Sequence, residues 1–100
     1  MNELVCKLTT PELQKRRSTV IEGLKQVLLK KEVLDEGLRF TFPSEDDVLA
    51  QLIDFIKSER LCCDFLSFKL IIGANMPNIA TLEITGPTGT QDFLEHEVGF

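Results

Sequence analysis

Ser58-Glu-Arg-Leu-Cys-Cys-Asp-Phe-Leu-Ser-Phe68 changes period in its middle: apolar residues before it recur at helical spacing, and those after it alternate. The switch predicts a helix-to-strand junction with two adjacent thiols at the corner. Upstream, Ser44-Glu-Asp-Asp47 reads as an N-cap followed by three carboxylates, which suit the positive end of a helix. A helix is therefore expected from about Glu45 to Leu61 or Cys62. With Val48 at 0° and ~100° per residue, Val48, Leu49, Leu52, Ile53, Phe55 and Ile56 cover roughly −20° to 140°. Glu59 falls at about 20° and Cys63 at about 60°, both facing inward, and Cys62 lies nearer the edge. Downstream, Leu66, Phe68, Leu70 and Ile72 alternate as a strand. After a loop from Gly73 to Asn78, Ile79 to Thr85 returns antiparallel through Ala80, Leu82 and Ile84.

Working outward, Leu4, Cys6 and Leu8 alternate as a short strand, with Cys6 pointing inward. Thr10-Pro-Glu-Leu starts a helix that runs to about Leu29, with Thr10 as cap and Pro11 in the first helical position. Its apolar stripe is Leu13, Val20, Ile21, Leu24, Val27 and Leu28. Arg17 falls inside that stripe, whereas Arg16 points away. Lys31 to Phe42 reads as a hairpin turning at Asp35-Glu36-Gly37, where glycine tolerates positive φ, with Leu38, Phe40 and Phe42 facing the core. Gly86-Pro-Thr-Gly is a turn, and Thr90, with Asp92 close behind, caps a last helix carrying Phe93, Leu94 and Val98.

Residues 1–100 are thus expected to form a single α+β domain in the order β-α-ββ-α-ββ-α. Hairpins favour a mainly antiparallel sheet of four to five strands, and the amphipathic helices pack on one face of it, giving two layers. Each middle unit, a helix followed by a hairpin, hints at a pseudo-repeat. A chain of this length buries only a little over half of its unfolded surface, so a homodimer is expected to support it. The 43% hydrophobic and 27% charged composition is that of a globular domain. A net charge of −5 argues against a nucleic-acid partner, which needs a clustered excess of Lys and Arg. No apolar run approaches ~20 residues and no basic leader opens the chain, which predicts a cytoplasmic protein without a membrane span. Three cysteines, an odd number, fit that compartment better than a secreted disulfide framework.

Two blocks carry a family resemblance, Glu59-Arg-Leu-Cys-Cys-Asp-Phe-Leu-Ser-Phe-Lys-Leu70 and Leu82-Glu-Ile-Thr-Gly-Pro-Thr-Gly-Thr-Gln-Asp-Phe-Leu94. Together with Cys6-Lys-Leu8 and the segment Glu12 to Arg17, the chain resembles a family of small bacterial proteins. These proteins share an E-R-x-C-C-x-F-L-x-F-x-L block and an I-T-G-P-x-G-x-x-x-F-L block. The resemblance implies a one-domain cytosolic protein without an established activity, found in heavy-metal or thiol-stress settings, and it carries over no catalytic residues.

Read from the residues, Cys62 and Cys63 would bind a thiophilic metal or metalloid as thiolates, with Cys6 as third ligand if its strand lies beside the junction. The spacing is not that of a zinc finger or ribbon. Two other readings stand beside this one: buried cysteines that only pack, and a redox pair or vicinal disulfide. Arg17 and Glu59 each interrupt an apolar stripe on helices that cover the same sheet face, which predicts that they meet, since a buried unpaired charge is costly. Such a pair is either structural, or a device by which Arg17 lowers a thiol pKa or orients an anionic ligand. Gly86-Pro-Thr-Gly-Thr lacks the lysine of a phosphate loop, Asp46 and Asp47 answer the helix dipole, and His96 is expected to be solvated. With one histidine and no nucleophile motif, an enzyme is not expected. The leading expectation is a protein that binds or senses a thiophilic metal or thiol-reactive ligand through Cys62 and Cys63. The alternatives are an interaction module without chemistry and a thiol-redox protein.

Overall fold

In a computed structural model of the protein the described residues are 10–100, so the strand expected at Leu4 to Leu8 lies outside them. The element order is α1 (Pro11–Val27), β1 (Lys30–Leu34), β2 (Gly37–Pro43), α2 (Asp46–Cys62), β3 (Ser67–Ile71), β4 (Ile79–Thr85) and α3 (Thr90–Glu97). Thr10 caps α1 as expected, its Oγ1 accepting from the Leu13 amide at 3.3 Å. The helix stops at Val27 because Leu28 turns extended and the Leu29 amide donates to the Thr41 carbonyl at 2.8 Å, which draws the chain into the sheet.

The four strands form an antiparallel sheet in the order β1-β2-β4-β3. Two hairpins therefore lie side by side, joined along β2 and β4 with Phe40 opposite Leu82 at the centre of the seam. The hint of a repeat gains substance here. Helix, edge strand and inner strand measure 17, 5 and 7 residues in both halves.

Three local expectations are corrected. Gly37 does not have positive φ; a Cβ there would stand 1.9 Å from the Ile84 carbonyl oxygen, so the position needs glycine because β4 passes too close. Ser44 does not cap α2. The cap position is Glu45, without a side-chain bond, and the Ser44 amide instead donates to the Asn78 carbonyl at 3.1 Å. Thr90 is the first residue of α3 and not its cap; Gly89 holds that place at φ 97°, and Thr90 Oγ1 donates to the Pro87 carbonyl at 2.6 Å.

Leu38, Phe40 and Phe42 on β2 and Ala80, Leu82 and Ile84 on β4 face a core completed by Leu24, Val48, Leu52 and Phe55, all buried. Phe100 reaches the same core and presents its ring to Phe40, Phe42 and Phe55 at centroid distances of 4.9, 5.8 and 5.4 Å. The strand residues of opposite parity are polar. Across the sheet Glu32 stands opposite Arg39, Arg39 opposite Glu83 and Glu83 opposite Lys69, so one row crosses all four strands with alternating charge. Arg39 Nε bonds Glu83 at 3.0 Å, and its Nη1 lies 3.6 Å from Glu32. Among the described residues no helix is long and apolar enough to cross a membrane.

Candidate functional site

The helix-to-strand corner is closed by its own backbone. Cys63, in the C-cap position of α2, donates its amide to the Glu59 carbonyl at 2.6 Å and accepts the Leu66 amide at 3.1 Å. The turn that results hands the chain to β3 at Ser67. Cys62 and Cys63 are each 0% exposed, so Cys62 is as buried as its neighbour and not at the stripe's edge, because it closes the buried row Val48, Leu52, Phe55 and Glu59 of α2 at helical spacing. Phe65 in the turn meets Phe93 of α3 edge to face at 5.1 Å, and this contact roofs the corner.

The two thiol positions differ chemically. Cys62 is disulfide-bonded and Cys63 is free. They are therefore not bonded to each other, which removes the alternative of a vicinal disulfide from this form of the protein. The Cys63 thiol nevertheless points at its neighbour, with Sγ 3.5 Å from the Cys62 Sγ. Cys6, the expected third ligand, lies outside the described residues.

Arg17 and Glu59 meet as the helical arithmetic predicts. Arg17 Nε donates to Glu59 Oε2 at 2.5 Å and Nη2 to Oε1 at 3.0 Å, a two-pronged pairing of a planar cation with a carboxylate. The Glu59 side chain is 0% exposed and that of Arg17 is 13% exposed. Nη2 also reaches the Glu97 carbonyl at 3.4 Å and stands 3.9 Å from its carboxylate, so one guanidinium touches all three helices. Sequence reasoning missed Glu97, since no periodicity relates α3 to α1. Arg16, by contrast, faces outward, 3.8 Å from Asp54.

These surroundings reverse the expected effect of Arg17 on a thiol. Burial pushes the Cys63 pKa up from 9.0 to about 12, the Glu59 charge pushes the same way, and the opposing pull of Arg17 is outweighed. For Arg17, burial works against the charge, but the hydrogen bond and charge of Glu59 more than offset it and the pKa is raised. Cys63 is thus a protonated, sheltered thiol beside a satisfied ion pair. Among the described residues no buried side-chain nitrogen or oxygen lacks a hydrogen-bond partner.

The remaining candidates resolve simply. His96 is exposed, with Nδ1 2.9 Å from the Asp92 carbonyl. In the Gly86 to Gly89 turn, the Gly86 amide donates to the Glu36 carbonyl at 3.0 Å and the Gly89 amide to its carboxylate at 3.1 Å, so both serve the fold. Among the described residues no three His, Cys, Asp or Glu side chains gather as a metal site. Compared with protein-family models, curated proteins and solved structures, the chain matches none.

Proposed function

We propose that the protein binds a thiophilic metal ion, metalloid or thiol-reactive ligand through Cys62 and Cys63, and that a disulfide at Cys62 blocks this site until it is reduced. The observation that carries the proposal is the 3.5 Å approach of the free Cys63 thiol to the sulfur of the disulfide-bonded Cys62, both sealed from solvent beside Arg17 and Glu59. Two external thiols, or one dithiol, deliver two electrons and two protons, leave as their own disulfide and convert the protein disulfide to two thiols, and Cys62 and Cys63 then form an adjacent pair. Binding an ion releases the proton from each thiol as its sulfur becomes a thiolate ligand. Because Cys63 holds its proton to about pH 12, only an ion of high sulfur affinity displaces it near neutrality. Mercury(II) and arsenite fit that demand better than zinc does. The third cysteine of the chain, Cys6, is the third sulfur of the proposal. A cytoplasmic location, with its reducing thiol pool, suits the open form. The double-cysteine block on which the resemblance to small bacterial proteins rests covers this corner.

The same approach favours a second reading, thiol-disulfide exchange. Deprotonated Cys63 attacks the Cys62 sulfur, a Cys62 to Cys63 bond forms, and the former partner sulfur leaves as thiolate. The high pKa of Cys63 makes this the slower chemistry.

Native mass spectrometry separates the readings. Reduced protein is titrated with mercury(II), arsenite, cadmium and zinc beside unreduced protein and a Cys62→Ser, Cys63→Ser variant. One mercury or arsenic per chain, bound by the reduced wild type alone, is the expected result. Equal binding by the variant, or none by reduced wild type, refutes the site, and migration of the disulfide to Cys62 and Cys63 on peptide mapping supports exchange.

A further inference from the structure

The sheet face opposite the helices raises a different question, independent of the thiols. Its residues line a groove of about 430 Å³ that runs past Glu32, Arg39, Glu83 and Ile71, with Met76 at the rim. Ile71 and Met76 are 39% and 50% exposed, and Lys69 projects into solvent. Thr41 and Thr81 sit side by side at its centre, so the middle of the face is flat and its polar groups stand around it.

The geometry points to a second copy of this chain as the occupant of that face, packed sheet on sheet about a two-fold axis parallel to the strands. The argument is the charge row. From β1 to β3 it reads Glu32, Arg39, Glu83, Lys69, minus to plus to minus to plus. A two-fold axis parallel to the strands, passing between β2 and β4, reverses that order in the second copy. Glu32 then faces Lys69 and Arg39 faces Glu83, and by symmetry both pairs occur twice. All four contacts join opposite charges. An axis perpendicular to the strands would set each charge on its own copy and repel, so the row selects one arrangement. The same reversal lays Thr41 over Thr81, small β-branched residues that permit the ~10 Å separation of packed sheets.

The sheet edges argue against the other common self-association. β1 offers Lys30, Lys31 and Glu32 and β3 offers Lys69, and charges on short edge strands discourage strand addition. Four strands about 4.8 Å apart and five to seven residues long make a face roughly 15 by 20 Å, below the size of a standard interface. The dimer is accordingly a weak one. Its specificity comes from the charge row, because those charges give up hydration on contact and contribute less to affinity.

Sedimentation equilibrium of the reduced full chain, over roughly 1 to 500 µM, tests the arrangement, a range set to bracket a small interface. The expected result is a monomer–dimer equilibrium that weakens in 0.5 M salt. Glu32→Lys and Lys69→Glu lie on exposed or half-exposed positions, and each places like charges opposite one another twice. Each alone is expected to weaken the dimer by roughly tenfold or more. Mixed in equal amounts, the two variants restore every opposite-charge contact and are expected to form a heterodimer as tight as the wild type. A wild type monomeric across the range, single variants that dimerise as before, or a mixture that does not recover would each overturn the inference, and the first would return the face to a different protein partner.

Discussion

Replacing Glu59 by glutamine changes almost no volume and removes one charge, which makes it the sharpest probe of the helix interface. Glu59 is 0% exposed and takes two guanidinium hydrogens of Arg17 at 2.5 and 3.0 Å. Breaking one side of a buried ion pair costs about 3–5 kcal/mol. Two features reduce that here. Glutamine keeps one acceptor oxygen, and Arg17 retains 13% exposure and the Glu97 carbonyl and carboxylate within 3.4 and 3.9 Å. The expected loss is therefore about 2–3 kcal/mol, discounted from the buried-pair range. For a chain of this size each 1 kcal/mol moves Tm by ~4–8 °C, so Glu59→Gln should lower Tm by roughly 10–20 °C. Thermal and urea unfolding followed by far-UV circular dichroism measure it. A decrease below about 2 °C would refute the reasoning, since the charge would then contribute nothing to holding α1 on α2. The double change Arg17→Met, Glu59→Leu should lose much less than the single one, because an apolar pair leaves no buried charge behind.

Cys63 has its folded pKa raised from 9.0 to about 12, so its contribution to stability is complete below pH 9 and is lost as pH rises towards 12. Stability should fall by up to ~1.4 kcal/mol per pH unit across that window in urea titrations, and Cys63→Ala should flatten the fall; an unchanged slope would disprove it. Gly37→Ala pushes a methyl carbon to 1.9 Å from the Ile84 oxygen and must part β2 from β4, at a cost of about 3 kcal/mol or more, so a variant melting within ~5 °C of wild type would contradict the close approach.

How much of this could be read in the sequence depends on the range of the interaction. The helices, both hairpins and the inward residues of β2 and β4 follow from local period, and the structure places them within a residue or two. Arg17 and Glu59 were legible as a pair because each breaks an apolar stripe, and two such breaks on helices sharing a face have one economical remedy. Caps were less legible. Ser44 and Thr90 have the right side chains for capping, but Glu45 and the left-handed Gly89 hold the cap positions, while the Ser44 amide bonds Asn78. Strand order, the roof of Phe65 on Phe93 and the seat of Phe100 arise from contacts between distant segments. They leave no periodic trace. The charge row is a special case: its four residues are ordinary surface charges along the chain, and only the register aligns them.

The seam between the two equal halves also dictates how the chain must assemble. Each hairpin joins neighbours in sequence and closes a short loop, whereas β2 meets β4 only after the whole of α2 and β3 has been bridged. Local units form fast and distant pairings slowly. The rate-limiting event is then the docking of one helix-and-hairpin half on the other, with Phe40 opposite Leu82 at its centre. At the positions matching Arg17 and Glu59 in the opposite halves stand Leu52 and Leu24, both at 0% exposure. Apolar contacts of that kind can guide docking while still loose, whereas the two-pronged ion pair forms only when the helices reach their final distance. The charged side of the seam is a latch that closes last, and it governs how quickly the halves come apart more than how quickly they find each other.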